Sequence, residues 1–219
     1  MSKFEKINKK DLKQNKKEKN NAKNNQTEKK KISSSVKFTI LALILIAIFC
    51  VALTPIMLQN DTYYTIAIGE HIVNYGIDMQ DPFSWHENLS YTYPHWLYDL
   101  ITYIVYSVFG MTGIYIATCI LAVILGWSIY AVSTKLAKNQ IFSFFITIGV
   151  MYVIRGYIAA RAQLVTFILF ILTIFFIEKC LETKKKRYAL GLIVIPILIA
   201  NLHVAVFPFY FVLYLPYIA

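Results

Sequence analysis

Between Gln59 and Asp99 the chain carries six acids (Asp61, Glu70, Asp78, Asp81, Glu87 and Asp99) and three histidines (His71, His86 and His95), with no lysine or arginine. Carboxylates and imidazoles are the groups that take protons from hydroxyls or hold hard divalent cations. The run Asp81-Pro82-Phe83-Ser84-Trp85-His86 has turn chemistry, because proline sets φ directly after an aspartate able to cap the following backbone. With Asp78 three residues earlier, two carboxylates and His86 can approach one site, an oxygen-rich arrangement that suits Mg²⁺, Mn²⁺ or Ca²⁺ and makes Asp78 and Asp81 candidate ligands. A solvated structural turn is the competing explanation.

Two further groups in this loop are defined by helical spacing. After Pro94, a favoured first helical residue, His95, Asp99, Thr102 and Tyr106 recur at i, i+4, i+7 and i+11 and fall on one face of an otherwise apolar helix. Such a stripe must meet water, a ligand or a polar partner. The His95 and Asp99 pair can hold a proton, a metal or a sugar hydroxyl. Read as a helix, Asp61 to Tyr75 puts Asp61, Thr62, Thr65 and Gly69 on one side and Glu70 and Asn74 on the other, so it cannot aim Asp61 and Glu70 at one ion. The segment suits the membrane interface with solvated acids; equally, Asp61 stands where the first span ends and is placed for chemistry there.

Cations and deeper polar groups lie further along. Arg155 and Arg161, with Gln163 close behind, flank the junction of two apolar stretches; a guanidinium fork matches phosphate, whether of a bound substrate or of a lipid headgroup. Asn201 and His203 interrupt the last apolar stretch, as a helix-break hydrogen bond or as substrate-binding groups.

The elements that position these groups follow from composition. The chain has 219 residues, 58% apolar and 16% charged, against about 45–50% and about 25% for a soluble domain. An all-α, polytopic membrane fold of about five or six spans is expected. The net charge is +10, but residues 1 to 35 supply +8 of it in a Lys/Asn-rich run too poor in apolar residues to fold. A nucleic-acid reader, whose basic residues sit on a folded face, is excluded. Cys50, Cys119 and Cys180 have neither metal spacing nor an even count for disulfides.

The first span is read at 36–58, too long for a signal peptide's apolar region and with no A-x-A cleavage site after it. An acidic loop with two interfacial helices is expected at 59–110, and further spans at about 111–134, 141–160, 162–178, 188–201 and 204–219. Lys135, Lys138, Lys179, Lys184, Lys185, Lys186 and Arg187 fall in alternate loops, which places the N-terminus in the cytoplasm and the acidic loop outside. The chain stops inside an apolar run, which points to a longer design.

As an ordered set, several motifs resemble those of a bacterial multi-spanning membrane family similar to the glycosyltransferase C superfamily. They are Asp61-Thr62-Tyr63-Tyr64 with Gly69-Glu70, Asp81-Pro82-Phe83-Ser84-Trp85, His95-Trp96-Leu97, Arg161-Ala162-Gln163 and Ala200-Asn201-Leu202-His203. The resemblance covers about residues 36 to 206. It implies inverting transfer of a sugar from a polyprenyl-phosphate donor at the outer face of the bacterial cytoplasmic membrane. Asp61 is then the base or cation ligand, and Arg155 and Arg161 hold the donor phosphate. The sequence departs from the family pattern at Thr65, His95 and Ala162, where relatives often have His, Glu and Pro, and it lacks the second acid of an Asp-x-Asp pair. A lipid or sugar transporter, an assembly partner or an inactive N-terminal fragment is the alternative.

Overall fold

The computed structural model describes residues 33–57 and 59–218, and it is all-helical apart from one isolated bridge between Gln80 and Ser90. The basic run up to residue 32, and the span ends expected at Leu58 and Ala219, lie outside the described residues. The helices are α1 (Ser34–Leu53), α2 (Asn60–Tyr75), α3 (Trp96–Ala137), α4 (Gln140–Val153), α5 (Ala162–Thr183), α6 (Lys186–Leu202) and α7 (Phe207–Val212). Short 3-10 turns occur at Arg155–Tyr157, Val204–Val206 and Leu215–Tyr217. Among the described residues, three helices (α1, α3 and α5) are long and apolar enough to cross a membrane.

The lengths explain why this count is below five or six. Helix α4 stops at Val153, seven residues before the expected end, where the chain turns into the 3-10 segment at Arg155-Gly156-Tyr157. Its 14 residues extend about 21 Å, less than a hydrocarbon core of about 30 Å. Helix α6 contains Pro196 and ends at Leu202, with His203 outside helical geometry at φ −166°, so the expected break is present. Beyond it, Pro208 and Pro216 each stand in the first turn of a short new element, where a missing N–H costs no helical hydrogen bond.

Helix α3 is two limbs. Gly110 takes φ 63° and ψ −160°, a conformation that favours glycine, and divides the helix into Trp96–Phe109 and Met111–Ala137. The first limb packs along α2, and the second crosses α1 closely at Gly126, where an added β-carbon would lie 2.7 Å from Cys50 Sγ and 2.8 Å from Ile46. Five buried threonines are satisfied within helices: Thr102, Thr118, Thr147, Thr166 and Thr173 each return a hydroxyl to the carbonyl four residues back. The outward faces are hydrocarbon, as at Ile48 and Ile193, both about three-fifths exposed.

Candidate functional site

The helix ends near Asp61 and Arg161 enclose a cavity of about 270 Å³, lined by Asp61, Tyr64 and Thr65 of α2, His95 and Tyr98 around the start of α3, Arg161, Ala162 and Gln163 at the start of α5, and His203 after α6. It therefore lies where α5 begins and α6 ends, at one end of the helices. Five candidates from the sequence, Asp61, His95, Arg161, Gln163 and His203, share its wall.

Local structure brings them there. Thr62 is fully buried and its hydroxyl donates to the Ala160 carbonyl at 3.2 Å, which draws the start of α2 against the strand-like approach to α5. One residue away on each side, Asp61 Oδ2 meets an amino nitrogen of Arg161 at 2.6 Å. Arg161 Nε is shielded from solvent and has no hydrogen-bond partner among the described residues. Arg161 is also the N-cap of α5 with no side-chain cap, so the first turn of a 22-residue helix faces the cavity uncapped. Unpaired backbone N–H groups and the positive end of the dipole make such a terminus receptive to anions.

Facing this is a histidine–aspartate pair. His95 Nδ1 donates to the Asp99 carboxylate, 2.7 Å from both oxygens. Asp99 is fully buried and also accepts from the Thr65 hydroxyl. With the carboxylate ionised, Nδ1 is the donor of this bond and Nε2 stands outside it. The polar stripe on the first limb of α3 thus divides: Asp99 meets Thr65 of α2, His95 faces the cavity and Thr102 bonds back within the helix. The two helices approach this closely because residue 69 is glycine: a β-carbon there would overlap the Asp99 carbonyl and the Tyr103 side chain.

His203 is buried and its Nδ1 lies 3.0 Å from the Thr166 hydroxyl, while the N–H of the next residue, Val204, donates to the Pro94 carbonyl at 3.0 Å. Asn201 stands outside the cavity wall. Its side-chain carbonyl accepts from Trp96 Nε1 at 3.1 Å, which ties α6 to α3, and its amide donates within α6 to the Ile197 carbonyl. Glu70 is exposed on the far face of α2, as its half-turn offset from Asp61 requires. Arg155 is exposed and also outside the cavity; its guanidinium lies over the Tyr152 ring at 4.3 Å and donates to the Tyr152 carbonyl.

The three acids expected as cation ligands have separate partners. Asp61 pairs with Arg161. Asp81 accepts from the backbone N–H groups of Phe83 and Ser84, which is the turn its sequence suggested. Asp78 accepts from Tyr93 OH at 2.7 Å and from the Gln80 N–H, and contacts His71 Nε2 at 3.1 Å. The Tyr93 hydroxyl, the Gln80 amide and His71 hold its carboxyl well below the usual range, at about 2. Among the described residues no three His, Cys, Asp or Glu side chains gather to hold a metal ion.

No family model matches this chain, and no curated protein or solved structure matches it either. The chemistry is therefore argued from the cavity itself. Sequence reasoning missed Tyr64 and Tyr98, which carry no distinguishing spacing, and the open end of α5, whose signal was present as a helix start with no Ser, Thr, Asp or Asn ahead of it.

Proposed function

We propose that the protein is a multi-pass glycosyltransferase of the cytoplasmic membrane, similar to the glycosyltransferase C superfamily, which uses a polyprenyl-phosphate sugar at the outer face. The observation that carries this reading is the single cavity in which an uncapped helix start, Arg161, and the His95–Asp99 pair converge. In this proposal α4, α6 and the C-terminal segment complete the bundle around the three long helices, making five to six passes in which the short helices cross together with the non-helical segments that continue them, with the α2 and α3 first-limb pair at the interface. The N-terminus is cytoplasmic, in keeping with the clustering of Lys135, Lys138, Lys179 and Lys184–Arg187 at the end opposite the cavity.

The donor phosphate sits at the start of α5 against Arg161 and Gln163. It takes the guanidinium edge that Asp61 leaves free, including Nε. An acceptor hydroxyl, losing its proton to His95 Nε2, attacks the anomeric carbon. The carbon–oxygen bond to phosphate breaks as the new one forms, and its electron pair remains on the phosphate, now stabilised by the cation and the helix start. Asp99 fixes the tautomer that makes Nε2 an acceptor, and Asp61 holds Arg161 in place until phosphate arrives. Asp61, the base implied by the family resemblance, is engaged by Arg161, whereas Nε2 has no partner among the described residues.

The position of the cavity at helix ends favours this over a transporter, whose discontinuous helices enclose substrate near the midplane. The test is sugar transfer from a labelled polyprenyl-phosphate sugar in membranes carrying the chain. His95→Ala is expected to lower transfer about 100-fold or more and Arg161→Gln about 100-fold, with Asp61→Asn retaining measurable transfer. Loss with Asp61→Asn and none with His95→Ala would exchange the two roles; no transfer by the unaltered chain with any such donor would end the reading.

A further inference from the structure

A second cavity of about 260 Å³ lies beside the first, between the two limbs of α3 and the start of α5. Ile101, Val105, Ile114, Leu121, Val165 and Leu202 form most of its wall. Its two threonines spend their hydroxyl protons within α3, Thr102 on the Tyr98 carbonyl and Thr118 on the Ile114 carbonyl, which leaves no side-chain donor from them for a ligand. A space of this kind stays dry and takes hydrocarbon; an apolar cavity of about 150 Å³ already accepts benzene.

Three chain segments contribute to both cavities: the start of α3, the start of α5 and the end of α6. Tyr98 lines both. Ala160 faces the apolar cavity and the adjacent Arg161 the polar one; Leu202 faces the apolar cavity and the adjacent His203 the polar one. At each segment the backbone passes between the cavities and sends successive side chains to opposite sides, so a molecule that fills both must be polar at one end and hydrocarbon at the other. Among the described residues Arg161 is the one Lys or Arg side chain in the polar wall; it sits at an uncapped helix start, and an anionic head meets it there by displacing or sharing its pairing with Asp61.

We infer that the two cavities form one site for an anionic amphiphile, with its head at Arg161 and the first carbons of its chain in the Ile114–Leu202 cavity, past Tyr98. This deepens the proposed function by assigning the place of the lipid chain, and it rests on that reading for the phosphate as head group. Ala117, which is partly exposed on the apolar wall, is where a larger side chain would fill the space.

The experiment measures binding of farnesyl phosphate, farnesol and inorganic phosphate to the full chain in non-ionic detergent. Farnesyl phosphate is expected to bind at least about tenfold more tightly than either other probe, as burying two or more methylenes alone would supply. Ala117→Phe should remove the advantage over phosphate, and Arg161→Gln the advantage over farnesol. A photoreactive farnesyl phosphate on the unaltered protein should label residues between Ile101 and Leu121, a readout that does not depend on a variant folding. Labelling confined to other helices, or farnesol binding as tightly as farnesyl phosphate, overturns the inference; the second outcome identifies a groove for ordinary membrane lipid. Sugar transfer with labelling elsewhere would remove the inference and keep the catalytic reading. Binding and labelling as expected without transfer would do the reverse.

Discussion

The two ends of the helices close in different ways. At the basic end, α3 finishes with Lys138 in the left-handed region, its N–H returned to the Thr134 carbonyl, and α5 finishes likewise at Lys184, bonded to Cys180. Helix α4 is capped by Asn139, whose side chain accepts from the Phe142 N–H, and Gln140 reaches across to Thr39 of α1. At the cavity end, α2, α3 and α5 begin at Gln59, His95 and Arg161 with no side-chain cap, and α6 runs out into His203. Orphan N–H and C=O groups are normally satisfied by caps. Helix α6 also starts without a side-chain cap, at Lys185 of the basic end, so what sets the cavity end apart is the company its open helix starts keep: Arg161, His95 and Asp99 stand beside them, a set of groups suited to receive something.

The sharpest way to break this contrast is to alter the open end chemically while leaving its packing. Asp99→Asn keeps volume but allows the other His95 tautomer. A loss of sugar transfer of about 100-fold is expected with little change in thermal unfolding; a large loss of stability and unchanged transfer would make the pair purely structural. Next is the helix crossing that supports the pair. Gly69→Ala should destabilise by about 1–3 kcal/mol, because backbone and not a flexible side chain stands in the way. Gly126→Ala, against Cys50 and Ile46, should cost the same or less and leave ligand binding intact, since it lies away from the cavity. Equal effects of both on binding would erase the distinction between the ends.

At the basic end, Glu182 meets Lys179 at 2.8 Å and Lys135 at 3.4 Å in a largely exposed setting. Glu182→Gln is accordingly expected to change stability by no more than about 1 kcal/mol, less in high salt. The smallest effect concerns the loop after α2. Asp78 has a folded pKa of about 2 against an ordinary value of 3.8, so its contribution is complete above about pH 4 and lost as pH falls towards 2. Tyrosine fluorescence should report release of Tyr93 over that interval, and Asp78→Asn should abolish the transition. Release above pH 5 would show that another group controls the loop.

Much of the architecture was legible in the residues. The helices at 60–75 and after Pro94, the turn at Asp81 and the break at Asn201 to His203 follow from periodicity, proline and capping chemistry, which act over a few residues. The count of spans was less so: α4 ends at Val153 although apolar residues continue to Ala160, because hydropathy does not register where the backbone leaves the helix. The site divided in the same manner. Asp61, His95, Arg161, Gln163 and His203 were chosen by type and found around one cavity, while Arg155, Glu70, Asn201, Asp78 and Asp81 were chosen by the same criteria and have other surroundings.

By itself the amino-acid sequence determined the all-helical class, the apolar lengths of α1, α3 and α5, and the separation of lysines from acids along the chain, since these depend on composition and local spacing. Only tertiary structure decided that Asp61 meets Arg161 across 100 positions, that Asp99 is buried behind His95, and that a polar cavity adjoins an apolar one at Tyr98. Those outcomes depend on how closely two helices approach, which Gly69 permits and Thr62 secures. Both are properties of a pair of surfaces, which no single stretch of chain contains.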